Sequence, residues 1–212
     1  MYGWKKSLGS MMVVALWAAP ALCAEEDHQL IATEETVEMV LLRQKSVQHE
    51  LKVSPEEAKK IHTFTSRQWQ KAEALAKASK EEREKKFDVM AQENEKFLND
   101  CLKPEQRKRL QQIAMQRAGL LWIARSDVAT ELGLSAEQKE KVKVLHKEAR
   151  KEAMEILGSD KDKAVKREQL HEMRMKDRKR LMSILTPEQK AKWKGMIGDE
   201  FKGDLEFGGS AK

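Results

Sequence analysis

Little in this chain interrupts a helix. Its 212 residues hold only four prolines and ten glycines, and outside the first 24 residues the prolines are three: Pro55, Pro104 and Pro187. Aromatic residues are 5% of the chain, too few, with so much charge, to cover the faces of a sheet. Cysteine is confined to Cys23 and Cys101. Removal of the N-terminal segment leaves Cys101 alone, so no internal disulfide can staple the fold; the repeat places it opposite Ile184, as a buried apolar residue. Beyond the first 24 residues no apolar run is long enough to span a bilayer. There is also no glycine-rich phosphate loop, no His-Glu-x-x-His and no nucleophile elbow, which argues against an enzyme and against any cofactor.

What is present is charge, 36% of residues, arranged around apolar positions at helical spacing. Ile61, Phe64, Ala72, Leu75 and Ala76 form one such stripe; Phe87, Met90, Phe97, Leu98 and Cys101 a second; Val142, Leu145, Ala149, Ala153, Ile156 and Leu157 a third. Each pattern predicts an amphipathic helix of roughly 20 residues, about 30 Å long. The fold class is therefore all-α.

Each remaining proline sits in one short phrase: Val53-Ser54-Pro55-Glu56-Glu57, Leu102-Lys103-Pro104-Glu105-Gln106 and Leu185-Thr186-Pro187-Glu188-Gln189. Leu134-Ser135-Ala136-Glu137-Gln138 is a fourth copy without the proline. A hydroxyl cap, proline at the first helical position and an acid or amide three residues past the cap together start a helix. Helix-cap residues are thus Ser54, Pro55, Pro104, Gln106, Ser135, Gln138, Thr186, Pro187 and Gln189. A shift of 81 lays Val47, Leu51 and Ser54 on Val128, Leu132 and Ser135, and a shift of 83 lays Met90, Leu98 and Pro104 on Met173, Leu181 and Pro187. This self-similarity predicts an internal duplication of long helical hairpins, each closed by a capped helix. The expected segments are a first repeat over 25–118, a second over 119–201 and a flexible tail over 202–212.

Residues 1–24 read as a secretory signal, with Lys5 and Lys6, an apolar run over 11–19 and small residues ending at Ala24. Cleavage there removes two lysines and no acid, taking the net charge from +6 to +4. The expected location is the periplasm or another exported compartment, where nucleic acid is not an expected partner.

The phrase at 185–189, repeated behind a signal peptide, resembles the LTxxQ motif of the Spy/CpxP family, and the chain resembles that family's duplicated envelope proteins, whose function is not established. The resemblance implies an exported all-α protein acting as an ATP-independent chaperone or envelope-stress modulator. It also implies pairing, either as a homodimer or, with four motifs in one chain, as an internal pseudo-dimer. Partners would be unfolded or partly folded envelope proteins.

Candidate client-binding residues are Trp69, Met175, Met182, Arg178, Lys179 and Arg180, which offer flexible or flat apolar surface beside positive charge. The stretch 160–194 carries 12 Lys or Arg against 6 Asp or Glu, enough to attract an acidic client or another anionic surface. His171 and Met175, four apart on one helix face, are weak candidates for a zinc or copper site, because four ligands do not converge there. The functional expectation is a non-enzymatic helical binding protein. The alternatives are a metal-binding envelope protein and a structural interaction module.

Overall fold

The computed structural model describes residues 34–75 and 78–205, so the expected signal segment and most of the expected tail lie outside it. The described residues form nine α-helices and no strand. They are α1 (Glu34–Leu42), α2 (Lys45–Glu50), α3 (Pro55–Ala74), α4 (Lys80–Cys101), α5 (Pro104–Ile123), α6 (Ser126–Glu131), α7 (Ala136–Gly158), α8 (Lys163–Ile184) and α9 (Pro187–Ile197). The chain divides into two compact units. Among the described residues, one comprises 34–97 together with 203–205, and the other comprises Leu98–Lys202.

In the first unit, short α1 packs on α2 and buries Val37, Met39, Val40, Leu41 and Leu42. Ile61 and Phe64 of α3 point inward, and Phe64 stacks on Phe97 of α4 with ring centroids 3.9 Å apart. Gln68 and Lys71 of α3 both reach Glu93 of α4, at 2.7 and 2.5 Å. Those two bonds hold the carboxyl of Glu93 below its ordinary pKa.

The second unit is built on α5, which touches α6, α7, α8 and α9. The expected duplication assigns α5 to the first half of the sequence, yet it belongs to this unit because the C-terminal segment is fitted to it. Ala118 has non-helical torsions and kinks α5. Beside the kink, a Cβ on Gly119 would lie only 3.2 Å from the indole of buried Trp193. Beyond α9 the chain runs as a strap along α5. Arg109 and Gln116 donate to the carbonyl of Asp199 at 2.7 Å each, Phe201 N–H donates to Gln116 Oε1 at 2.9 Å, and Arg117 lies over the buried Phe201 ring. The last helix ends at Gly198, and irregular chain then packs through the buried Phe201. Of the expected tail, 202–205 are described, without helix, and the carbonyl of Asp204 accepts from Ser46 Oγ.

All four capped phrases begin helices at the expected residue. Ser54, Ser135 and Thr186 each accept a backbone N–H from the residue three positions on, and the side chains of Glu57, Gln138 and Gln189 accept the cap N–H in return. Lys103 has no acceptor, so only the return arm from Gln106 is made, at 2.8 Å. Lys103→Thr is expected to add the missing arm and stabilise the chain by about 1 kcal/mol. A denaturant midpoint unchanged or lowered by this substitution would count against the cap geometry.

The helix ends ahead of two of these phrases also correspond. After α2, Val53 N–H donates to Gln48 and Lys52 N–H to His49; after α6, Leu134 N–H donates to Ala129 and Gly133 N–H to Thr130. Both are Schellman turns, which require a left-handed residue just past the cap. Glycine fills that position at Gly133 (φ 67°), whereas Lys52 adopts it at φ 53° with a side chain to accommodate. Lys52→Gly should therefore stabilise by up to about 1 kcal/mol, and Gly133→Ala should destabilise by about the same. Paired thermal melts of the two variants check the opposite signs.

Candidate functional site

Helix α8 carries the basic cluster, and its two sides have different fates. Met175, Arg178, Lys179, Met182 and Ser183 follow an i, i+3, i+4, i+7, i+8 pattern that places them on one face. Together with Lys190, from the first turn of α9, they line a hollow of about 460 Å³. Thr186 and its capping box fix the turn between α8 and α9, so the cap motif is what brings Lys190 to the hollow.

The apolar part of the lining is methionine. Met175 is 44% exposed, among the most exposed large apolar side chains of the described residues, and Met182 is half-buried. Long thioether side chains adapt to varied shapes. The polar part is cationic: no acid lines the hollow, and Arg178, Lys179 and Lys190 have no carboxylate partner among the described residues. Burial lowers the pKa of the Arg117 guanidinium; Arg178 adds a second, smaller contribution in the same direction, and Glu200 opposes it. The hydroxyl proton of Ser183 is spent on the carbonyl of Arg180, at 2.7 Å.

The other side of α8 faces α7. Lys176 lies 3.3 Å from Glu152, and Arg180 lies 2.5 Å from Glu148 and 3.6 Å from Asp177. Arg180 is thus engaged with α7 and does not line the hollow, contrary to its expected grouping with Arg178 and Lys179. Half-buried Arg174, desolvated among its neighbours, has its pKa pushed down to about 10 and stays charged at neutral pH. Asp177 is 4% exposed, and burial, reinforced by Glu152, raises the pKa of its carboxyl despite Arg180 and Lys176.

Trp69 belongs to the first unit, half-buried, with Arg43 5.6 Å over its ring and its indole N–H 3.0 Å from Glu73. Trp122 and Trp193 are buried. His171 and Met175 are both exposed, Met173 is buried, and no group of three or more His, Cys, Asp or Glu among the described residues is arranged to hold a metal. Cys101, expected to be buried, is half-buried, because its position on α4 faces partly outward. No described helix is long and apolar enough to cross a membrane.

Two residues escaped sequence reasoning as parts of a larger device. Gln138 and Gln189, expected only as cap partners, also bond to each other: Gln138 Nε2 donates to Gln189 Oε1 at 2.7 Å and Gln189 Nε2 to Gln138 Oε1 at 3.0 Å. Their remaining protons go to the carbonyls of Ile184 and Gly133, at 2.8 and 3.0 Å. The starts of α7 and α9 are thereby clasped together. The sequence signal was the amide itself, since an acid at that position caps equally well but cannot donate.

Comparison with protein-family models, curated proteins and solved structures finds no match to this chain.

Proposed function

We propose that this chain is an exported, non-enzymatic binding protein that holds unfolded or partly folded envelope proteins without nucleotide, as a periplasmic chaperone or stress modulator. The observation that carries the reading is the open α8 hollow, where adaptable methionines lie beside cations that have no carboxylate partner among the described residues. Apolar segments of a client bury against Met175 and Met182, while Arg178, Lys179 and Lys190 speed encounter with acidic chains. The internal duplication and kinship with the LTxxQ proteins belong to this proposal. They are supported by the four capped phrases and by the matched turns at Lys52 and Gly133.

Purified protein at near-stoichiometric ratio should suppress light scattering by a chemically unfolded client with no nucleotide added. Raising salt from low to physiological levels should slow capture more than it weakens the complex, because screening acts on encounter more than on buried apolar contact. Arg178→Gln, Lys179→Gln and Lys190→Gln combined should reproduce the salt effect. Unchanged aggregation of several unrelated clients at low salt and protein excess would overturn the reading and favour a structural module.

A further inference from the structure

The hollow's composition specifies more than a general affinity for unfolded chains. Three cations with no carboxylate partner among the described residues, and no lining acid, call for an anion. Two methionines in the same small concavity call for an apolar group beside that anion. A volume of about 460 Å³ accepts one or a few side chains, not a folded element. No Trp, Tyr or Phe lines the open hollow to rest at a lipid interface.

The chemical group that carries an anion on the same carbon as an apolar side chain is the last residue of a polypeptide. An internal acidic residue holds its carboxylate on its own side chain, so a neighbouring apolar side chain enters such a hollow only with chain on both sides. A chain end enters once, apolar side chain against Met175 and Met182 and carboxylate among Arg178, Lys179 and Lys190. Charge-assisted hydrogen bonds from those donors are the strong kind.

We infer that the α8 hollow binds the free C-terminal carboxylate of client chains ending in an apolar residue. This inference rests on the binding reading above and narrows it to one feature of the client. It predicts that chain ends exposed by truncation or unfolding are held in preference to internal segments.

The test uses the full chain and two fluorescein-labelled peptides of identical sequence ending in two leucines, one a free acid and one a C-terminal amide. Fluorescence anisotropy at low salt should give at least about tenfold tighter binding of the acid. Arg178→Gln, Lys179→Gln and Lys190→Gln combined should bring the two peptides to the same affinity. Independently of any variant, methyl resonances of Met175 and Met182 should shift with the acid peptide and much less with the amide. Equal binding of acid and amide, or methyl shifts produced by anionic phospholipid vesicles and by neither peptide, would overturn the inference. If the chain suppresses aggregation yet does not discriminate acid from amide, the C-terminal inference fails alone; if it neither suppresses aggregation nor binds either peptide, the chaperone reading fails with it.

Discussion

Gln189→Glu should cost about 2 kcal/mol, although a glutamate three residues past a cap is ordinarily favourable. In the native clasp, every proton of the two amides is used: Gln189 Nε2 donates to Gly133 and Gln138, and Gln138 Nε2 to Ile184 and Gln189. Each amide oxygen additionally accepts the N–H of its own cap residue. A carboxylate at 189 retains the cap but removes two donors, leaving an oxygen against the Gly133 carbonyl and Gln138 Oε1. Rotating the Gln138 amide to compensate would forfeit its bonds to Ser135 and Ile184. Urea midpoints should show the loss at neutral pH and partial recovery when the introduced acid is protonated and donates again. Because the two glutamines share bonds, Gln138→Ala with Gln189→Ala should cost less than the sum of the single changes. A neutral Gln189→Glu would reduce the motif to helix capping.

Asp177→Asn should raise stability at neutral pH by about 1 kcal/mol, an uncommon sign for a change at a buried residue. The carboxyl lies between α7 and α8, with Glu148 and Glu152 contributed by α7 and Lys176 and Arg180 by its own helix. Arg180 is already bonded to Glu148 and stands 3.6 Å from Asp177 Oδ1, beyond hydrogen-bond range. Burial and the two glutamates raise the folded-state pKa, so the carboxylate form disfavours the fold. The native chain therefore regains this part of its stability as pH falls through the raised folded value towards the ordinary value of about 3.9, and loses it as pH rises. Glu82, Glu93, Asp127, Glu137 and Glu188 have lowered values and act in the opposite direction, weakening the fold on acidification. Subtracting the pH profile of Asp177→Asn from that of the native chain isolates residue 177. The difference should be largest at neutral pH and vanish below the unfolded value. A destabilised Asn variant with an unaltered profile would mean that the carboxylate is paired in the fold.

Helix positions were legible because capping is local chemistry, acting between residues three apart. Ser54, Ser135 and Thr186 perform it with their own hydroxyls. The clasp was not legible, since it joins side chains 51 residues apart and depends on which amide protons the caps leave over. On α8, helical spacing was enough to collect Met175, Arg178, Lys179 and Met182 onto one hollow. Spacing alone could not separate Arg180 from them, because its partner Glu148 belongs to another helix. Nor could it supply Lys190, which arrives across the turn at Thr186. The strap was hidden for a different reason. Phe201 carries no periodic signal, and its burial comes from polar side chains of α5 that read as solvated. Composition alone groups Trp69 with the α8 residues, yet its immediate surroundings are Arg43 and Glu73.

Site-specific photocrosslinking tests most directly whether the α8 hollow is the binding surface. A photoreactive residue is placed at Met182, within the hollow, and in a separate variant at Val144, an exposed apolar position on α7 outside its lining. Each is irradiated with the same unfolded client under conditions where aggregation is suppressed. The expected result is client adduct predominantly from position 182, reduced when Arg178, Lys179 and Lys190 are neutralised. Equal adduct from both positions, or none from 182 while suppression persists, would contradict a binding role for the hollow.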